Sequence, residues 1–335
     1  IKGINTEMSI PGPIVQTART CWKWQWNQLM NALAPCDKQG NYRRPQSEHT
    51  NAVVLSTKDL ARRTNDQLPI LIIGKSCPWA HRAWLIYVLK DLSQSINLIV
   101  AKPSPSKGKW SFNSQLLGCN YLDELYNLSN SPPSHRSTVP TLIDPYDFKT
   151  NQPKILGNES AQIIEVLNRW PTAHEEIDLY PKNKINKINE WNNLFQATIN
   201  DGVYRCGFAR NQKAYELASS QLFNSLRKVE NALTQGGPWI CGDKITLADI
   251  RLFPTLARWE TIYMPLFGCS AHPLWRYPNI WQWRKRFFNI PKVSKTCDSE
   301  AWRKDYFGNL FPLRPNQIIP AGEELTNIVN ASPPQ

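Results

Sequence analysis

The stretch PILIIGKSCPWAHR, residues 69 to 82, decides how this chain folds. An apolar run of strand length, Pro69 to Gly74, leads to Cys77, and a proline at residue 78 follows at once; this reads as a buried strand running into a helix that opens at Pro78. Proline at the first helical position forfeits no hydrogen bond. The thiol of Cys77 then sits where unpaired backbone N–H groups and the positive end of the helix dipole favour an anion. A depression of ~2 pKa units, worth roughly 2.7 kcal/mol, would make it mostly thiolate at neutral pH. The plain alternative is a half-buried cysteine that merely starts a helix.

Spacing narrows the chemistry. In a Cys-x-x-Cys redox helix the second thiol resolves the mixed disulfide, but here the position three residues on is Ala80. A monothiol that attacks sulfur is regenerated by a thiol from outside, and the abundant small one in cells is glutathione. Ser76 is a rival nucleophile beside it. His81 and Arg82, inside the helix, read as helix-face contacts rather than as acid or base.

The chain has 335 residues, 41% of them hydrophobic, with 14 tryptophans, which suits two domains with substantial cores. No apolar run approaches the ~18 residues needed to span a bilayer, and the first twenty residues lack a signal-peptide core, so a protein without a membrane span is expected. The chain starts at Ile1 rather than methionine, which leaves a removed targeting segment open. Eight cysteines without Cys-x-x-Cys spacing in a chain this long read as free thiols, with no metal site, in the cytoplasm or another reducing compartment such as a plastid. Cys21, Cys36, Cys119, Cys206, Cys241, Cys269 and Cys297 read as packing residues. The net charge of +12 invites nucleic acid as a partner, but the basic residues are scattered and no nucleic-acid-binding motif is present, so none is expected. Basicity suits instead the gathering of an anionic tripeptide or an acidic lipid surface.

Residues 1–65 read as an extension with one periodic island: Trp22, Trp26, Leu29, Met30 and Leu33 recur at helical spacing before Pro35, on a face that packs on its own protein or binds a membrane or partner. Residues 66–170 read as an α/β domain. Its expected strands are Ile70 to Ile73, Ile96 to Ala101, Thr141 to Ile143 and Lys154 to Leu156; its helices run from Pro78 to Leu92 and from Glu159, and a long irregular stretch precedes Thr141. Two strands joined so closely by a helix imply a parallel pair with a right-handed crossover, a thioredoxin-like arrangement. A linker with His174, Glu175 and Pro181 leads to an all-helical domain, 182–290, and a tail, 291–335, that returns towards the active site. Within the helical domain Thr246 and Asp249 read as a helix cap, not as catalytic groups.

Two further segments suit a peptide ligand. A cis proline after Val139 would leave the valine backbone N–H and C=O free to pair with a ligand docked like an added strand. Glu159 and Ser160 open a helix, where a hydroxyl, backbone N–H groups and a carboxylate can hold a γ-glutamyl end; capping alone is the other reading.

CPWAHR, Trp110-Ser111-Phe112, TVP (Thr138 to Pro140), NES (Asn158 to Ser160), GVYRCGFA (Gly202 to Ala209), GDKITLADIRLFPTLARWE (Gly242 to Glu260) and YPNIW (Tyr277 to Trp281) together resemble the glutathionyl-hydroquinone reductases, the xi class of glutathione transferases. The resemblance spans about 68 to 320. It implies the glutathione transferase fold, a thioredoxin-like α/β N-terminal domain plus an all-α C-terminal domain, and a homodimer. It implies glutathione as cosubstrate, Cys77 as nucleophile, Trp110, Arg136, Val139, Glu159 and Ser160 as the glutathione site, and Tyr204 facing an aromatic quinol conjugate. The family's tail carries a His-Tyr-Tyr run and then an isoleucine-asparagine-proline segment. This chain has Asp305-Tyr306-Phe307 and Leu313-Arg314-Pro315 instead, which makes Tyr306 the second tyrosine and places the departure at the acceptor pocket.

The reaction so implied is glutathione-dependent reduction of glutathionyl-hydroquinones through a cysteine–glutathione mixed disulfide. An omega-like thioltransferase or dehydroascorbate reductase would use the same cysteine. A non-enzymatic ligand-binding protein on the same fold would need no such thiol.

Overall fold

The computed structural model describes residues 10–332 apart from 46, 48, 50, 105–106, 130, 133–134 and 172–176. His174 and Glu175, expected in the linker, lie outside the described residues. The strands are β1 (Ile70–Gly74), β2 (Asn97–Ser104), β3 (Lys109–Leu116), β4 (Cys119–Tyr121), β5 (Thr141–Asp147) and β6 (Gln152–Gly157), in the sheet order β4-β3-β2-β1-β5-β6. The first helices are α1 (Gly12–Leu33), α2 (Thr57–Ala61), α3 (Pro78–Leu89), α4 (Leu122–Leu128) and α5 (Ser160–Asn168). After them come α6 (Ile185–Phe195), α7 (Gly202–Gly207), α8 (Gln212–Gly236), α9 (Leu247–Ala257), α10 (Met264–Phe267), α11 (Pro278–Phe288), α12 (Ser299–Asn309) and α13 (Leu325–Asn330).

β1 is buried along its whole length, as its unbroken apolar run requires of a central strand covered on both faces. It pairs parallel with β2, from Ile70 opposite Asn97 to Gly74 opposite Ala101, and antiparallel with β5, where Ile72 faces Thr141. The crossover between β1 and β2 is α3, which the sequence reading extended to Leu92. The helix stops at Leu89 because Asp91 turns left-handed (φ 52°), after which a short 3₁₀ turn buries Leu92. The stretch read as irregular holds β3, β4 and α4. Trp110 and Phe112 alternate with polar neighbours there, but the remaining residues of β3 are largely exposed, so its apolar pattern is too thin to announce a strand.

Gly74 has a packing reason to be glycine. A Cβ at this position would collide with the Trp110 ring and reach 3.2 Å from Val139 Cγ2, so the bare backbone lets both side chains close over the end of β1 just before Cys77. Among the described residues after Trp170 no strand occurs, only helices. α9 opens with a reciprocal cap: Asp249 Oδ2 accepts from the Thr246 N–H and Oγ1, while its Oδ1 accepts from the Ile240 N–H and the Trp283 indole. Asp249 is fully buried, and four donors satisfy it as a structural group.

The extension is tied to both halves. α1 begins at Gly12 and buries Met30, while the Trp26 indole donates to the Pro312 carbonyl at 2.9 Å. Trp22, Trp24, Leu29 and Leu33 stay exposed, so only part of the expected apolar face packs on the protein itself. Beyond α1, Arg210 donates to the Ala34 carbonyl at 2.7 Å, and the Val53 N–H donates to the Leu156 carbonyl at 2.9 Å. Arg63 closes the extension with a two-pronged bond to Asp144 on β5, 2.5 and 2.7 Å, both side chains almost wholly buried. All eight cysteines are free thiols. Among the described residues no helix is long and apolar enough to cross a membrane.

Removing one partner of the Arg63–Asp144 pair leaves an uncompensated buried charge, which costs about 3–5 kcal/mol. Asp144→Ala is therefore expected to lower unfolding free energy by about 3 kcal/mol in a urea titration; a loss below about 1 kcal/mol would show that the buried pair does not anchor the extension.

Candidate active site

Cys77 is the N-cap of α3, with extended backbone (φ −74°, ψ 115°), and its sulfur accepts from the Ala80 N–H at 3.5 Å. The same thiol donates to the Val139 carbonyl at 3.4 Å. The Val139-Pro140 peptide is cis, as the sequence suggested, but the valine carbonyl is engaged by the thiol instead of being left open.

The helix start does not hold this thiol as an anion. Burial pushes the Cys77 thiol above the ordinary cysteine range, and the N–H groups of Ala80 and Trp79 together with the Arg258 and Arg44 charges pull it only part of the way back. The sequence reading counted the helix dipole and the amides but not the protein packed around the sulfur, which the helical domain and the extension supply. Cys77 remains half-exposed through the cavity it lines.

That cavity, about 330 Å³, gathers seven of the eight residues marked in the sequence: Cys77, Trp110, Arg136, Val139, Glu159, Ser160 and Tyr204. Glu159 is the N-cap of α5, its carboxylate accepting from the Ala161 N–H, and the Ser160 hydroxyl donates to Glu159 and accepts from Arg82 at 3.3 Å. Asn158 fixes the facing loop, donating to the Thr138 and Pro140 carbonyls at 2.8 and 3.0 Å. Arg136 is exposed at the rim.

Tyr306 is the exception. It does not line this cavity but lies behind Tyr204, hydroxyl to hydroxyl at 2.6 Å, and is only 8% exposed. A third tyrosine, Tyr263, approaches the Tyr306 hydroxyl at 3.4 Å. Burial raises Tyr204 and Tyr306 well above the ordinary phenol value and raises Tyr263 as well, so all three stay protonated at neutral pH. Such a chain can pass a proton along but is not a resident base.

The sequence reading missed Tyr42, Arg44 and Ser47, which reach the cavity from the extension, and Trp79, whose ring stacks on Tyr204 at 6.2 Å between centroids. Trp79 and Asn158 lay inside the quoted motifs and were open to notice. Nothing local distinguishes the three extension residues. His81 is indeed a packing group: buried, neutral because burial and Arg258 hold its pKa well below the usual imidazole value, it accepts from Arg258 at Nδ1 and bonds Thr296 through Nε2 at 2.8 Å. Ser76 is also buried, and its carbonyl accepts from Arg258. Among the described residues no group of three histidine, cysteine or acidic side chains could hold a metal ion.

Comparison with known proteins follows the same outline. The family models described as "Glutathione S-transferase, N-terminal domain" and "Glutathione S-transferase, C-terminal domain" match residues 76–170 and 212–286. The chain is 33% identical over 264 residues to glutathionyl-hydroquinone reductase PcpF of Sphingobium chlorophenolicum, covering 75% of this chain and 82% of that protein. It is also 33% identical over 268 residues to glutathione S-transferase omega-like 2 of Schizosaccharomyces pombe, covering 75% and 84%. Among solved structures it is similar to the glutathione-S-transferase Xi of Phanerochaete chrysosporium, with TM-score 0.76, 30% identity and coverage of 86% and 94%. The glutathione-bound structure of the transferase homologue YqjG from Escherichia coli K-12 gives TM-score 0.68, 31% identity and coverage of 77% and 86%.

Since burial raises the Cys77 thiol, its thiolate fraction must grow with pH through and beyond the ordinary thiol range. Alkylation of the free protein by iodoacetamide, followed at Cys77 by peptide mass, is expected to accelerate up to at least pH 9. A rate that levels off below pH 7 would mean that the helix start outweighs burial after all.

Proposed function

This chain belongs to the glutathione transferase superfamily, and within it to the glutathionyl-hydroquinone reductases of the xi class, and on that premise we propose that it reduces glutathionyl-hydroquinones to hydroquinones through a cysteine–glutathione mixed disulfide. The observation that carries this reading is the placement of one thiol, with no second thiol in its helix turn, in the same cavity as a protonated tyrosine. Glutathione is the cosubstrate.

Glutathione lies with its γ-glutamyl end against the start of α5. There its carboxylate meets the helix N-terminus and Ser160, and its ammonium meets Glu159. Val139 pairs with its backbone, Trp110 covers it and Arg136 meets its other carboxylate from the rim. Cys77 attacks the sulfur of the conjugate after losing its proton to solvent, burial opposing the thiolate and the Ala80 and Trp79 amides and the Arg258 charge favouring it. An S–S bond forms, the sulfur–aryl bond breaks, and its electron pair passes to the quinol ring. The ring carbon takes a proton that Tyr204 delivers and Tyr306 replenishes through the hydroxyl pair. A second glutathione thiolate then attacks the mixed disulfide, releasing oxidised glutathione and restoring Cys77. Two glutathionyl sulfurs are oxidised to one disulfide, and the aryl carbon is reduced by the same two electrons.

Tyr306 thus acts one step behind the acceptor rather than on it. The divergent tail still supplies the second tyrosine, from α12, and the aromatic wall of Trp79, Tyr204 and Phe208 suits a flat quinol. The similarity to an omega-like transferase favours a second reading, thioltransfer to other disulfides by the same cysteine. Side-by-side turnover of a glutathionyl-hydroquinone and hydroxyethyl disulfide separates the two. A homodimer and a reducing compartment belong to the same proposal, the latter in keeping with eight free thiols.

Cys77→Ala is expected to drop reduction to the rate without enzyme while glutathione still binds, because the γ-glutamyl contacts lie on α5. Arg136→Ala should weaken glutathione binding by about tenfold, the loss of one charge-assisted hydrogen bond. Calorimetric titration with glutathione and a turnover assay check both. Undiminished turnover in Cys77→Ala, or an unchanged dissociation constant in Arg136→Ala, removes that residue from its role.

A further inference from the structure

The glutathione contacts proposed above leave part of the cavity wall without a task, the part supplied by the extension. There the Arg44 guanidinium lies over the Trp79 ring, its Cζ 3.7 Å from the ring centroid. Trp79 in turn stacks with Tyr204, the planes 26° apart. Arg82 also lies on the indole, its Cζ 4.3 Å from the centroid. Arg44, Trp79 and Tyr204 thus form one stacked group, with the Arg44 cation over the indole face, that lines the same cavity as Cys77.

The Arg44 charge is only loosely matched. Its Nη1 is 3.6 Å from Asp201 Oδ1, beyond a good hydrogen bond, and the Arg44 side chain is 32% exposed. Arg44 also lines a second, larger space adjoining the first, about 900 Å³. Four cations, Arg43, Arg44, Arg205 and Lys228, meet two carboxylates there, Asp37 and Asp201. Arg43 is already taken up by Asp37 at 3.0 Å, and Asp201 offsets one of Arg44, Arg205 and Lys228, which leaves two positive charges in excess. A flat ring in the cavity beside Tyr204 and Phe208 has substituents within reach of Arg44, which lines both spaces. A planar guanidinium held by stacking, with donors not yet bonded, is preorganised for a carboxylate or similar anion.

We propose that Arg44 is a specificity-determining residue that selects aromatic quinols carrying an anionic substituent, the substituent seated where the cavity opens into the larger space. This rests on the quinol reading above and narrows its substrate class. Neutral quinols enter the same cavity but leave the cation facing water.

Equilibrium binding tests this without depending on turnover. Calorimetry on the glutathione-saturated full chain compares hydroquinone with 2,5-dihydroxybenzoate. The parent is expected to bind the carboxylate compound about tenfold more tightly, and the ratio should shrink as salt is raised. In Arg44→Gln the ratio should fall to about one, and Arg44→Lys, which keeps the charge but not the fork, should retain part of it. Because each ratio is taken within one protein, a general loss of affinity does not alter it. Equal binding by the parent, or an undiminished ratio in Arg44→Gln, overturns the proposal. If the preference is present and lost in Arg44→Gln while no glutathionyl-quinol conjugate is turned over, the anion selection stands and the reductase reading falls.

Discussion

The site depends on one buried cation. Arg258, at the end of α9 and wholly buried, donates to the Lys75 and Ser76 carbonyls at 3.0 and 3.2 Å, to the Pro254 carbonyl and to His81 Nδ1 at 2.9 Å each. Its guanidinium also stacks on the Trp302 ring, 4.0 Å from the centroid. The first two acceptors are the residues between β1 and Cys77, so a single side chain from the helical half fixes the loop that presents the thiol. A buried charge satisfied by neutral acceptors is costly to strand, which makes the junction unforgiving of small shifts.

The same group sets the electrostatics on both sides of the sulfur. It is one of the charges that pull Cys77 back towards ionisation against burial, and it adds to the burial that keeps His81 neutral, so that the imidazole accepts at Nδ1 and uses Nε2 towards Thr296. It also lowers Tyr263 and Tyr306 against the stronger effect of their burial. Tyrosines that stay protonated and a thiol that ionises reluctantly suit a reaction in which the proton moves late and only with substrate in place. Trp302 adds a second tie to the loop, its indole donating to the Lys75 carbonyl at 3.0 Å.

What was legible in the sequence was whatever is written in neighbouring residues. The run Ile70 to Gly74 announced a buried strand, Pro78 the start of α3, and Thr246 with Asp249 a reciprocal cap; each is a local pattern with a local cause. Of the seven cavity residues, Cys77, Val139, Glu159 and Ser160 were legible in short motifs at element ends, whereas Trp110, Arg136 and Tyr204 came from the family resemblance alone. The state of the Cys77 proton was misread because desolvation is a property of everything packed around the sulfur, not of its turn. Tyr306 was placed one layer too far forward because sequence says which helix carries a hydroxyl but not which hydroxyl stands behind another. The part played by Tyr42, Arg44 and Ser47 could not be read at all. A proline-rich, charged segment has no period, and its position comes from distant anchors such as Arg210, Val53 and Arg63.

Segments before and after the α/β half converge near Cys77, the early one through Arg44 over Trp79 and the late one through Trp302 at the Lys75 carbonyl and Tyr306 behind Tyr204. A polypeptide is made from its N-terminus, and its α/β half can begin to settle while later helices are still being translated. The thiol therefore emerges before the part of its cover that follows it in the chain, and during that interval it lacks the tyrosine pair. Competence arrives only once the helical half and α12 have been added, so that a nascent chain stopping short of them carries an accessible cysteine in place of an enzyme.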